Sequence, residues 1–242
     1  MDTWGHLMAL HPDAWMVTSN GVAACATGIP SPGLNGVWCS GHDPDPEEIQ
    51  RLLGLLAARG VPHMLQMRPG SGSAALAVAE AEGMASDEEL ALMRLDDPAG
   101  LEPADQAVPE LAIRRLGADE AALHAQTAAA GFGGNVDHFL RLLPPPVMSA
   151  YGLRAYVGEV EGQVVTTALG VTRGKSVGVF NVATPAEHRR RGYGAAITAR
   201  TVQDGLAAGA RWAWLQSSAA SQRLFEGLGF ETLERWRCWV RL

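Results

Sequence analysis

The sequence predicts an α/β protein with a mixed central β-sheet flanked by helices, and three features carry that reading. Short runs rich in β-branched and aromatic residues alternate with amphipathic, alanine-rich stretches. A loop of arginines and glycines, Arg189 to Gly194, leads from one strand-like run straight into a helix-like one. An acidic, proline-containing stretch from Asp96 to Pro109 separates two halves whose elements follow a similar order, so 1–105 and 110–242 are the expected domains.

Composition bounds the rest. A chain of 242 residues allows one large domain or two small ones with a sizeable core. Hydrophobic residues at 47% and charged residues at 19% are the proportions of a globular chain. The formal net charge of -7 speaks against general nucleic-acid binding and favours a neutral or cationic small substrate. Cys25, Cys39 and Cys238 are too widely spaced for a CxxC motif, so reduced thiols in a cytoplasmic protein are expected. His42 and Cys39 form a C-x-x-H pair with no partner pair, so no metal is expected. No apolar run approaches the roughly 18–20 residues of a membrane span. The opening MDTWGHLMALHPDAW carries an early acid and no basic start, so no signal peptide is expected.

The elements follow in order. Val22 to Thr27 and Gly36 to Ser40 read as strands before a helix from Pro46 to Arg59, whose Ile49, Leu52, Leu53 and Leu56 share one face. A strand at His63 to Met67, a helix at Ser73 to Glu82, a Gly83-Met84 turn and a strand at Leu90 to Leu95 complete the first half. In the second, Leu111 to Leu116 is a short strand and Asp119 to Ala129 a helix ended by the glycines of GFGG. Val136 to Leu143 is a helix stopped by Pro144, Pro145 and Pro146. The strands Arg154 to Val160 and Val164 to Val171 are joined by the turn Glu161-Gly162. Val177 to Ala183 is a third strand, running into the basic loop. Ala195, Ala199, Val202 and Leu206 then line one face of a helix that Gly209 ends. Trp212 to Gln216 is a buried strand, Ser221 to Leu228 a short helix, and Glu231 to Leu242 a terminal strand or two.

The chemistry concentrates in Val179 to Ile197, VFNVATPAEHRRRGYGAAI. Glycines at a helix's first turn let a ligand approach the backbone closely. The unpaired N–H groups there, and the positive end of the helix dipole, favour a phosphate or pyrophosphate. A dinucleotide fingerprint is not satisfied, because Ile197 stands at the third glycine position and the next strand, WAWLQ, ends without an acid. No GK[ST] is present for a Walker loop. A basic surface turn is the plainer reading, and a pyrophosphate loop of another kind the functional one.

In these residues the sequence resembles the GCN5-related N-acetyltransferase family. Arg189, Gly192 and Gly194 match its [RQ]-x-x-G-x-[GA] signature. LQSS resembles the end of its fifth strand and LFEGLGF, Leu224 to Phe230, its closing helix and turn. The likeness runs from Leu111 to Leu242. It implies the acyl-CoA N-acyltransferase fold for this half, and an enzyme using acetyl-CoA or another short acyl-CoA as co-substrate. The matching β-α-β-α-β order of the first half, with Gly83-Met84 standing where Gly229-Phe230 stand, predicts that 1–105 is a degenerate copy of the same fold, so that the chain is a tandem of a degenerate and a complete copy; an unrelated α/β cap is the alternative. The resemblance also implies that Val182 and Thr184 pair with the pantetheine arm. The backbone of Arg190, Arg191, Gly192, Tyr193, Gly194 and Ala195 would cradle the pyrophosphate, with Arg189 nearby. The Val182 N–H would meet a developing oxyanion. The expected acceptor is a small-molecule or peptide amine, with no nucleic acid or membrane partner, and the protein a monomer or homodimer.

Two departures stand out. Phe225 occupies the position where the family usually has a proton-donating tyrosine, so it is expected to pack under the cofactor arm. Ser218 stands where an asparagine often contacts the cofactor; it reads either as such a contact or as a helix cap. A base is also needed to take a proton from an ammonium. The strand VGVFNVA holds no carboxylate, so Glu159 is the first candidate, Glu187 the next, and Asn181 could orient a relaying water. His188 reads as an exposed loop histidine. GFGG, Gly131 to Gly134, opens an acceptor pocket or merely links helices. In the first half, RPGSGSAAL reads as a strand–helix connection. GHDPDPEE is acidic and lacks a glycine nest, so it should repel a pyrophosphate.

Overall fold

A computed structural model describes residues 5, 8 and 11–242; the reading of the first ten residues against a signal peptide falls mostly outside the described residues. The first half contains β1 (Trp15–Ser19), β2 (Val22–Ala26), β3 (Asn35–Cys39), α1 (Pro46–Ala57), β4 (His63–Met67), α2 (Gly72–Ala81), β5 (Ala85–Ser86) and β6 (Leu90–Leu95). After a short α3 (Ala104–Ala107), the second half contains β7 (Ala112–Arg115), α4 (Ala121–Phe132), α5 (Val136–Leu142), α6 (Pro145–Met148), β8 (Leu153–Val160), β9 (Gln163–Arg173), β10 (Ser176–Ala183), α7 (Tyr193–Ala207), β11 (Trp212–Ser217), α8 (Gln222–Gly227) and β12 (Glu231–Arg241).

One mixed sheet runs through both halves in the order β1-β2-β3-β4-β12-β6-β11-β10-β9-β8-β7, with β5 also on β12. The same local pattern recurs on either side of its centre. β2 and β3 are antiparallel and β3 and β4 parallel, just as β9 and β10 are antiparallel and β10 and β11 parallel. At the centre the halves exchange strands. The end of β12 pairs with β4 (Arg241 opposite His63), while β6 pairs with β11 (Leu95 opposite Ala213). Between them β12 runs antiparallel to β6 and β5, from Glu231 opposite Arg94 to Val240 opposite Ala85. The turns that launch these strands also match. Gly83 (φ 65°) and Gly229 (φ 87°) both adopt the left-handed conformation, and the next N–H in each case bonds back at 3.0 Å, Met84 to Ala79 and Phe230 to Phe225.

Side-chain alternation assigns the faces. β6 turns Ala91, Met93 and Leu95 to a core shared with Val202 of α7 and Phe225 of α8. On the same face α1 and α2 cover β2, β3 and β4, with Ile49, Leu52, Leu53 and Leu56 all buried. Each such side chain contributes about 1.5–3 kcal/mol. The opposite face carries Trp38, Leu153, Val157, Leu169 and Trp236, packed under Leu142, Leu143, Val147 and Met148 of the α5–α6 region. Helices of the second half therefore cover strands of both.

Four points refine the expectations. The prolines after α5 end that helix as expected, and Pro145 then opens α6, because a first-turn residue needs no N–H partner and proline already has a helical φ. The Asp96–Pro109 stretch is not a bare linker; it forms a 3-10 turn (Pro98–Gly100) and α3, and Val108 is buried beside Tyr193 of α7. Of the one or two strands expected at the end of the sequence, Glu231–Arg241 forms one. β1, whose turn Asn20-Gly21 has both residues at positive φ, was not anticipated. The cysteines are free and buried, with burial pushing each thiol up to about 12.

Candidate active site

β10 and β11 pair in parallel only from Ser176–Gly178 with Trp212–Trp214. Beyond Gly178 they part. There β10 also carries a bulge: Phe180 faces Leu169 and Ala183 faces Thr167, so Asn181 and Val182 together stand opposite one residue of β9. Asn181 takes φ 49°, a left-handed value that a short amide side chain tolerates. Its Nδ2 is buried with no partner among the described residues.

The loop beyond β10 reaches α7 through two further left-handed residues, Arg190 (φ 61°) and Gly192 (φ 83°). Gly192 is the N-cap and offers no capping side chain. Ala196 N–H bonds to Gly192 O at 2.9 Å, leaving the N–H groups before it at the open, positive end of a helix. A side chain at Gly194 would come within 3.0 Å of Leu224, so glycine is what lets α7 lie close to α8. Arg189 braces the loop, donating from Nε to Thr184 O at 3.0 Å and from Nη2 to Gly131 O at 2.6 Å. At Gly131 a Cβ would lie 2.8 Å from Ala183, so this glycine of GFGG lets α4 end against β10. The Thr184 hydroxyl donates to Thr166 Oγ1 (2.9 Å), because Thr166 gives its own proton to Ala183 O.

Two cavities open on this splay. The first, about 700 Å³, is lined by Val182, Thr184, His188, Arg189, Arg190, Gly192, Tyr193, Gly194, Ala195, Ser218 and Phe225, among others. The second, about 320 Å³, holds Asn181, Phe180, Trp214 and Gln216 from the second half, and Trp38, Met64, Gln66, Leu90 and Leu92 from the first. Phe132, Val182, Ser218, Ser221 and Phe225 line both. These five residues form the passage between the two cavities.

Most residues singled out in the sequence therefore meet here, but three do not. Glu159 lies in neither cavity. It sits at the β7–β8 edge, where its carboxylate accepts from Arg114 Nε at 2.9 Å, and Arg114 also holds Glu120. Arg191 is exposed and outside the cavity lining; the neighbouring left-handed residues turn it to solvent. Glu187 is likewise exposed. Ser218 is not a helix cap: Ser221 stands at that position and makes no side-chain cap bond. Instead Ser221 Oγ lies 3.1 Å from both Ser217 Oγ and Ser218 Oγ. Phe225 is buried at the passage and packs edge-on against Phe230, centroids 6.1 Å apart. His188 is half-buried on the first cavity, not an exposed loop residue. Ser221 went unnoticed as a site residue, although its place one turn before Phe225 on the same helical face was a legible signal.

The loop of the first half differs where it matters. Asp45 caps α1, its Oδ1 accepting from Glu47 N–H at 3.0 Å, so a carboxylate already occupies the helix end that α7 leaves open. RPGSGSAAL is a strand–helix connection, with Arg68 bonded through its guanidinium to Glu234 and Ser71 Oγ donating to Arg68 O at 2.8 Å.

His124 of α4 is wholly buried, and burial pushes its pKa down to about 3. The Thr167 hydroxyl donates to Tyr156 O (2.7 Å), so it accepts from the His124 Nδ1–H at 2.7 Å, and Nε2 has no partner among the described residues. It lines neither cavity.

Residues 156–240, from β8 into β12, match the family described as FR47-like protein. No curated protein matches the sequence. Among solved structures, a GCN5-related N-acetyltransferase from Kribbella flavida superposes with a TM-score of 0.70 at 19% identity, over 99% of this chain and 93% of that one. A putative acetyltransferase of the same family from Novosphingobium aromaticivorans gives 0.59 at 19%, over 93% and 89%. A tandem protein of this family from the clavulanic acid biosynthesis pathway gives 0.58 at 16%, over 99% and 94%. The chain has the acyl-CoA N-acyltransferase fold, and it shares that fold over its whole length with a tandem protein.

Proposed function

We propose that the protein is an acyl-CoA-dependent N-acyltransferase that moves an acetyl group from acetyl-CoA directly to a primary amine. The observation that carries this is the passage between two cavities at the parting of β10 and β11, one side rich in helix-end N–H groups and arginine, the other aromatic and uncharged. The donor set fits a pyrophosphate: backbone N–H groups from Gly192 to Ala195, with Arg190 on the rim. Bound acyl-CoA would supply the acyl group as a thioester. Val182, displaced by the bulge from the β9 ladder, offers its N–H to the thioester oxygen, and the Asn181 amide lies next to it. The Ser218 and Ser221 hydroxyls line the passage and would hydrogen-bond a departing thiolate there, a contact that Phe225 cannot make. Glu159 has no part.

The rival, a CoA-binding sensor without turnover, is favoured by one observation: among the described residues no aspartate or glutamate lines either cavity. Calorimetric titration with acetyl-CoA, followed by thiol release with a broad amine panel, decides between them. Binding with amine-dependent thiol release is the expected result. Binding alone selects the sensor, and no binding removes both.

A further inference from the structure

The second cavity also describes its occupant. Its lining includes the rings of Trp38, Phe132, Phe180, Trp214 and Trp236 and, among the described residues, no aspartate, glutamate, lysine, arginine or histidine. Its polar groups on the first-half side are amides: Gln216 Nε2 donates to Gln66 Oε1 at 3.2 Å across the seam between the halves, and Gln66 Nε2 is turned to Met64 Sδ at 3.0 Å. Phe132, 56% exposed, stands at the mouth and stacks on Phe139 with centroids 6.0 Å apart, so the entrance is aromatic as well.

Resting on the reading above, we infer that the acceptor is a primary amine borne on a flat aromatic body with no other charged group, and that the first half selects it. An ionised carboxylate or a second ammonium entering this cavity would lose its hydration without gaining a counter-charge. Stacked and edge-on ring contacts instead reward a planar apolar body. A volume of about 320 Å³ admits a compact one. The same lack of charge bears on the amine. It must reach the passage as the free base, its proton left in solvent, because no described residue of the lining offers a carboxylate to accept it. Trp38 and Gln66 lie on β3 and β4. The first half, whose own helix end is closed by Asp45, thus acts as the specificity wall of the second.

The test measures kcat/KM by thiol release from acetyl-CoA for size-matched amines: an aromatic amine without further charge, an α-amino acid, a polyamine and an amino sugar. The aromatic amine should lead by at least about tenfold, 1.4 kcal/mol in barrier. In Gln216→Glu, at mildly alkaline pH, the new carboxylate should raise polyamine turnover by about tenfold or more. In Trp38→Leu, the aromatic amine's KM should rise while the acetyl-CoA Kd stays within about twofold. Should Trp38→Leu fail to fold, the Gln216→Glu result stands alone, since Gln216 is only half-buried. Quenching of tryptophan fluorescence by the aromatic amine, absent with the polyamine, gives a readout free of turnover. Equal or better use of the charged acceptors by the unaltered protein, or no quenching, would overturn the inference. Failure of acetyl-CoA to bind would instead strike the acyltransferase reading.

Discussion

Arg189 and Gly131, 58 residues apart, are joined by a hydrogen bond of 2.6 Å from the guanidinium to the carbonyl. With its second bond to Thr184 O, Arg189 ties the end of α4 to the loop that opens α7. Arginine's planar fork suits this bridge and lysine's single ammonium does not. Arg189→Lys should therefore weaken acetyl-CoA binding nearly as much as Arg189→Ala. Hydrogen bonds to a charged group are worth about 1.5–3 kcal/mol, less when exposed as here, so the loss should be about tenfold in Kd. Full affinity in the lysine variant would show that charge, and not the brace, is what counts.

Gly192→Val should abolish acetyl-CoA binding and leave the fold. At φ 83° a β-branched residue is strained, and its Cβ would lie 3.1 Å from Val108. The loop must then rearrange at the positions whose N–H groups face the first cavity. Calorimetry on a variant with an unchanged circular dichroism spectrum decides it. Retained affinity would put the pyrophosphate elsewhere.

Phe225→Tyr and Ser221→Ala test how the thiolate leaves. Phe225 packs on Phe230, and Ser221 already offers a hydroxyl at the passage, so the tyrosine should change kcat by less than about tenfold. Ser221→Ala should lower kcat by more than it raises KM. A gain of about 10²-fold in the tyrosine variant would mean that the missing phenol limits the reaction.

His124 predicts a pH dependence of stability. Its folded pKa of about 3 lies below the ordinary 6.5, so the native state holds the ring neutral while the unfolded chain takes up a proton. Stability from this site is complete above 6.5 and falls as the pH drops from 6.5 towards 3. Melting temperature should already decline in the upper part of that window, above the range where carboxylates titrate. His124→Gln should flatten the decline there. An unchanged slope in the variant would mean that other groups set it.

Much of this was legible in the sequence because it depends on local chemistry. Strand alternation, the face of α1, and the glycines at 192 and 194 each follow from a few neighbouring residues. The bulge did not, because Asn181 carries a left-handed φ without the glycine that usually announces one. The place of Glu159, outside both cavities, was not legible because only tertiary pairing brings Arg114 beside it. The aromatic wall of the second cavity could not be read either. Trp38 and Gln66 lie in sequence far from Trp214 and Gln216, and nothing local brings them together.

The exchange of β6 and β12 has a consequence for how the protein comes into being. During synthesis β4 appears early, yet one of its sheet neighbours, β12, is made long after it, with Arg241 opposite His63. Until β12 leaves the ribosome, that edge of β4 stays bare, an open template for a neighbouring chain. The pairing joins segments far apart in sequence, which makes the ladder slow to close. A chain cut short before β12 would lose not a terminal ornament but the strand that sews its two halves together.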